Sequence, residues 1–310
     1  MASILGTPAS FAATFGLVGR FLDGDDHRAC RAASKAVDGL YADCMSPSPD
    51  CSGHVRRQIV HAITRYARTL QKKVRWPQKV VAALANDLFL VVTGVRIACL
   101  VDCAAIPQPR ALALLAALRE ELMGCDHVRA VYLDDDLFFV HARRLSRSLV
   151  TDVASLWAHR LCIDVTPSAS SSTSTAPTIL TPPPALSAFA TALVTALTWS
   201  TAHHVLALTP LLQRFSQSAI AVAGLLLDYP VLYWHVAPHS LPGNTLGLQP
   251  LVLYTVTIDV DGAALAVAQF SAPQALHDAR VLRARCRRRT STGHVLHVVS
   301  TTCVLPRVSL

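Results

Sequence analysis

The chain lacks the motifs that announce most enzymes. It has no G-x-S-x-G, no P-loop and no G-x-G-x-x-G. That removes the commonest hydrolase, NTPase and dinucleotide-binding readings. Its nine cysteines are odd in number, contain no C-x-x-C and offer no pair at zinc spacing. There is no N-x-[ST] acceptor. Several cysteines sit inside apolar runs, where cysteine packs as a small hydrophobe. Together these features point to an intracellular, cytoplasmic setting and not to secretion. The first residues carry no basic stretch, and Asp23, Asp25 and Asp26 come early, which argues against a signal peptide. Charged residues make up only 15% and aromatics 6%, so the basic stretches have few aromatics to alternate with as a single-strand nucleic-acid platform would need.

What is present is apolar bulk. With 310 residues, 52% of them hydrophobic, the chain can bury a sizeable core. The formal charge is +8, mostly from arginine. A basic balance suits nucleic acid, anionic lipid or an acidic partner, although a surplus of this size is more often a solvated surface. The uncharged run from Ala185 to Ala202 is long enough to span a bilayer on paper. It is heavy in Thr, Ser and small residues, so it reads as a buried helix.

Periodicity divides the chain into a helical N-terminal region (1–90), a first α/β half (91–166), a low-complexity Ser/Thr/Pro insert (167–184) expected to be disordered, and a second α/β half (185–310) of the same domain. Helices are expected over Phe11–Phe21 and Arg28–Tyr41. Over Val55–Leu70, Val55, Ile59, Ala62, Ile63, Tyr66 and Leu70 form one face and Arg57, His61, Arg65, Arg68 and Lys72 another. Another helix starts at Pro77 and ends near Leu88. Strands are expected at Phe89–Val92 and Ile97–Val101, then a helix with Leu112, Leu115, Leu118 and Leu122 inward and Gly124 as its cap. Val128–Leu133 and Leu137–Val140 read as a hairpin turned by Asp134, Asp135 and Asp136. Helices then fit Arg143–Trp157, Leu186–Trp199, Pro210–Leu227 and Pro273–Arg285, and strands fit Leu161–Val165, Val231–Val236 and Val295–Val304. Leu251–Val260 and Ala263–Phe270 make a second hairpin through Asp261-Gly262. The fold class is α/β, a mixed sheet with flanking helices.

Candidate chemistry is thin. Asp102 follows an apolar strand, and Asp134 and Asp136 end another of the same unit. Ligands gather at the carboxyl ends of strands in open sheets, and close carboxylates hold hard cations or share a proton. These three are therefore the candidate catalytic residues of a metal- or phosphate-dependent enzyme; plain turn chemistry is the simpler account of them. Arg143, Arg144 and Arg147 open a helix, where cations oppose the helix dipole, and they form a candidate anion site. The stripe over Val55–Lys73 and the run Arg280, Arg283, Arg285, Arg287, Arg288 and Arg289 suit RNA or an acidic protein surface. Close histidine pairs (His203 with His204, His235 with His239, His294 with His297) lack cysteine partners, so no metal ligands are assigned and no cofactor is identified.

The run Ala223-Gly224-Leu225-Leu226-Leu227-Asp228-Tyr229-Pro230-Val231, followed by Gln249-Pro250-Leu251-Val252-Leu253-Tyr254, resembles an uncharacterised eukaryotic UPF-type family whose human member is a chromosome-1 open-reading-frame product. Leu100-Val101-Asp102 and Leu133-Asp134 are similar to its first half. The resemblance covers most of 85–270 and departs at Leu225 and Asp228, where it implies a tryptophan and a glycine. It implies a fold and no activity. With no catalytic motif and basic helical surfaces, the leading expectation is a non-catalytic protein–protein interaction or adaptor role; the enzyme and the RNA-associated protein are the alternatives.

Overall fold

The protein is represented by a computed structural model that describes residues 52–69, 76–122, 125–150, 157, 160–166, 177–199, 205–234, 246, 248–260, 262–276, 282 and 296–304. All of them belong to the second of two compact units, Pro49–Leu310. The helices expected at Phe11–Phe21 and Arg28–Tyr41, residues 167–176 of the Ser/Thr/Pro insert, and the Arg280–Arg289 run lie outside the described residues.

Helix α1 (Ser52–Thr69) is followed by α2 (Gln78–Val92), the short strand β1 (Ala98–Leu100) and α3 (Gln108–Glu121). The faces expected for α1 are present. Ile59, Ala62, Ile63 and Tyr66 are buried, and Arg57, His61, Arg65 and Arg68 are exposed. Helix α2 runs through the segment expected to be a strand at Phe89–Val92. A continuous apolar run does not distinguish strand from buried helix. Here Leu84, Ala85, Leu88 and Phe89 through Val91 are all buried. The helix stops where Thr93 donates its hydroxyl to the Phe89 carbonyl at 2.7 Å and Gly94 takes φ +72°.

Strands β2 (Val128–Leu133) and β3 (Asp136–His141) form the expected hairpin, with Leu133 paired to Asp136 across the turn and Asp134 left-handed at φ 53°. Strand β3 also pairs antiparallel with β1, so β1 and β2 run the same way on either side of it. Helix α4 (Ala142–Val150) leaves directly from β3 and buries Leu145 and Leu149. Strand β4 (Leu161–Asp164) is bordered by β5 (Thr178–Leu180), which corrects the expected disorder of 167–184 at its end. The β-branched and apolar Thr178-Ile179-Leu180 add an edge strand to β4 that composition alone conceals.

Helix α5 (Pro184–Trp199) buries Leu186, Phe189, Leu193 and Leu197. Its threonines return their hydroxyls to the helix: Thr191 to Ser187 at 3.2 Å, Thr195 to Thr191 at 3.1 Å and Thr198 to Val194 at 2.8 Å. No described helix is long and apolar enough to cross a membrane. Strand β6 (Leu206–Ala207) pairs parallel with β2. The single helix expected from Pro210 to Leu227 is two, α6 (Thr209–Phe215) and α7 (Ala219–Leu226), broken where Ser216 turns left-handed at φ 50°.

Strand β7 (Val231–Trp234) pairs parallel with β4. Strands β8 (Pro250–Val260), β9 (Ala263–Pro273) and β10 (Leu296–Val304) form an antiparallel sheet in the order β10-β8-β9. The other sheets run β1-β3-β2-β6 and β5-β4-β7, so the mixed sheet read from the sequence is divided among three. Alternate residues of the first two sheets feed two apolar clusters. Cys99, Ala130, Phe139 and Ile163 join one with α1, α2, α3, β8 and β9; Ala98, Val131, Phe138 and Cys162 join the other with α4, α5, α6 and α7.

Two glycines in the left-handed region separate backbone strain from crowding. A Cβ on Gly262 (φ +77°) meets nothing within 4 Å, whereas one on Gly94 (φ +72°) meets the Arg144 guanidinium at 2.1 Å. Gly262→Ala is expected to cost about 1–2 kcal/mol, and Gly94→Ala more, because Arg144 must also move. Urea unfolding of the two variants measures the difference; equal losses would show that the Arg144 contact is slack.

Candidate functional site

Strand β3 separates the two sets of expected site residues. Asp136 stands at its start and Arg143 and Arg144 just past its end, roughly 17–20 Å away along an extended strand. The Val101 amide donates to Leu137 at 2.9 Å, which places Asp102 beside Asp136 at the acidic end. Asp102, Asp134, Asp135 and Asp136 are all exposed there. Asp134 accepts from the Thr209 hydroxyl at 3.2 Å. Asp102 reaches Asp87, whose carboxyl is raised by burial, lowered by Arg96 and raised again by Asp102. Among the described residues no group of three or more His, Cys, Asp or Glu side chains is placed to hold a metal ion. The structure therefore brings Asp102, Asp134 and Asp136 together at one sheet end, away from Arg143, Arg144 and Arg147 at the start of α4 and beyond.

At the opposite end lies a pocket of about 230 Å³. Gly94, Arg96 and Ile97 lead into β1 on one side, and Arg144 and Arg147 of α4 form the next wall. The turn Leu227–Pro230 closes another side, and Val256, Val267, Phe270 and Leu296 face in from the third sheet. Arg143, expected with the other two, does not line it. Arg143 acts instead on His127, whose imidazole is lowered by burial first and by Arg143 next.

Arg144 is held in place. Its Nη1 donates to the Gly94 carbonyl at 2.8 Å, and only a glycine leaves room for the guanidinium there. Burial lowers its pKa, and repulsion from Arg147 lowers it further. Two like charges on one helix turn are thus brought together at the rim of a concave space. Arg96, whose side chain is 15% exposed, bonds Asp87 at 3.1 Å.

Among the described residues the carboxylate lining the pocket is Asp228. It pairs with Arg160, whose side chain is 3% exposed, and Ser148 Oγ donates to it at 3.4 Å. Asp228 sits at φ 56°, a conformation that glycine adopts without penalty. Here an aspartate, tolerant of that region, adds a buried ion pair. The Tyr229 ring lies 6.0 Å from Phe270, which stacks on Tyr254 at 5.0 Å. Opposite β8 the β9 strand carries a bulge: Val256 pairs with Ala268 and Thr257 with Ala266, so Val267 is extra and both Val267 and Ala268 reach the pocket.

Sequence reasoning reached Arg144 and Arg147 and missed Arg96, Asp228, Arg160 and the bulge. The departure from glycine at Asp228 was the one legible sign. The expected basic stripe on α1 is partly engaged within the chain: Arg65 pairs with Glu120 and Glu121 of α3, and His61 Nδ1 lies 3.4 Å from Glu121. The thiols of Cys99 and Cys125 are pushed up to about 12 by burial, which makes them inert packing groups.

Fold and site together define an α/β protein with an arginine-lined pocket at one end of its central sheet. The chain belongs to the DUF4504 family, a domain of unknown function whose model matches residues 67–287 and so includes nearly all of the pocket. No curated protein and no solved structure matches it.

Two tests probe this end of the sheet. Removing the carboxylate strands a buried guanidinium, so Asp228→Ala is expected to cost about 3–5 kcal/mol. Adding Arg160→Met should recover part of that in urea unfolding; no recovery would mean the pair is not the source. Burial, with Arg144 and His127 repelling, pushes the His141 imidazole down to about 3. In the unfolded chain it titrates near ~6.5. Between those values the unfolded state holds the extra proton, so stability falls as pH drops, by at most about 1.4 kcal/mol per pH unit. Unfolding midpoints of His141→Gln should be flatter over that range than those of the unsubstituted chain.

Proposed function

We propose that this protein is a non-catalytic recognition protein whose pocket captures an anionic group. One observation carries the reading: Arg96, from the bend before β1, and Arg144 and Arg147, from α4, line a single concave space, and Asp228, the carboxylate that lines it among the described residues, pairs with Arg160. Guanidinium forks match carboxylate and phosphate oxygens, and partial burial strengthens such contacts. An anion seated there also relieves the repulsion between Arg144 and Arg147.

The reading narrows the interaction role expected from the sequence. Recognition falls to a pocket, and the basic face of α1 is left with its ion pairs to α3. The enzyme expected to use Asp102, Asp134 and Asp136 draws no support from this pocket, which lies at the other end of β3. The resemblance to a UPF-type family brings no activity with it.

Inorganic phosphate tests the proposal. A ligand bound to the native state alone raises stability by about 2.7 kcal/mol at a hundredfold excess over Kd. Phosphate should raise the melting temperature relative to chloride at matched ionic strength, and Arg147→Gln should abolish the rise, each variant being compared with its own unliganded melting temperature. An equal response to both salts would remove the proposal.

A further inference from the structure

The pocket has two unlike walls. One carries the guanidinium groups, and the other is apolar: Val256 from β8, Val267 and Phe270 from β9 and Leu296 from β10. A ligand that is only a head group leaves the second wall wet. Building on the anion-binding reading, we infer that the natural ligand is a small phosphomonoester with a flat apolar body, its phosphoryl group on Arg144 and Arg147 and its body on Phe270 and Val267.

The head group follows from the donors. Arg144 and Arg147 stand three residues apart on one face of α4, so their forks reach one site together. A carboxylate offers two oxygens and one charge. A phosphomonoester offers three terminal oxygens, more acceptors for two planar guanidinium forks than a carboxylate has. Arg96 bonds Asp87 and stands as a third donor beside Tyr229, whose hydroxyl it influences.

The body follows from the opposite wall. Phe270 is fixed by the near-parallel Tyr254 ring on one side, at an interplanar angle of 10°. The β9 bulge turns Val267 and Ala268 toward the pocket together, and Ala268 leaves room that a larger side chain would fill. Bulges recur where a strand must re-aim side chains beside a binding site. At about 230 Å³ the space is smaller than the ~300–1,000 Å³ of pockets that take drug-sized ligands. A single ring or short chain fits, and a dinucleotide does not.

Isothermal titration of the 310-residue chain with three probes tests the inference: inorganic phosphate, phenyl phosphate and benzoate. Phenyl phosphate should bind about tenfold or more tighter than either of the others. Leu296→Ala, half-buried, and Phe270→Leu, in the wall itself, should each reduce the affinity for phenyl phosphate by a larger factor than that for inorganic phosphate. Two substitutions guard against misfolding of one. Phenyl phosphate and inorganic phosphate binding equally would overturn the apolar body and leave the anion site standing. Benzoate binding as tightly as phenyl phosphate would overturn the phosphoryl assignment. No binding of any probe would overturn both this inference and the anion-binding reading beneath it.

Discussion

Strand β3 has almost no solvent face, and the surrounding structure answers to that fact. Leu137 and Phe139 enter one apolar cluster, and Phe138 and Val140 enter the other. A strand buried on both faces and paired on both edges can place polar side chains only at its ends. The turn at Asp134–Asp135 takes one end, and the start of α4 takes the other. The separation of acidic and basic groups in this region is therefore a consequence of burying the strand between them. It also explains why His141, the last residue of β3, is a buried imidazole held neutral beside arginines.

The pocket depends on a second constraint, the left-handed turn at Asp228. Leu161 donates its amide to the Pro230 carbonyl at 2.8 Å, so the turn and the parallel start of β4 and β7 are set together. Arg160, one residue before β4, reaches Asp228 at the same point. A single buried ion pair thus joins the register of one sheet to the wall of the pocket. A glycine there would keep the backbone path and lose that coupling.

Much of the fold was legible in the sequence, and the limits are physical. The α1 stripe, the β2–β3 and β8–β9 hairpins and the start of α5 followed from period and turn chemistry. Phe89–Val92 misled because a fully buried helix end and a buried strand share one composition. The break at Ser216 was hidden because no glycine or proline marks it and a serine supplies the positive φ. Of the site, Arg144 and Arg147 were visible as neighbouring cations; Arg144 does open α4, the wrong end for the dipole, but Arg147 falls in its last described turn, where a cation suits the dipole. What they face was not visible, since β8, β9 and β10 come more than a hundred residues later in the chain. The bulge at Val267 is a matter of pairing count, which no local pattern records.

The charge division along β3 also bears on how fast a ligand arrives. The Asp134–Asp136 turn and Arg144 stand further apart along β3 than the ~8 Å Debye length of physiological salt, so at equilibrium that turn would scarcely weaken an anion seated on Arg144. In dilute buffer that screening is lost, and for the anion binding proposed above the sheet would act as an oriented dipole, drawing an approaching anion toward the pocket and turning it from the far edge. The association rate, more than the dissociation rate, would carry the memory of Asp102 and the Asp134–Asp136 turn.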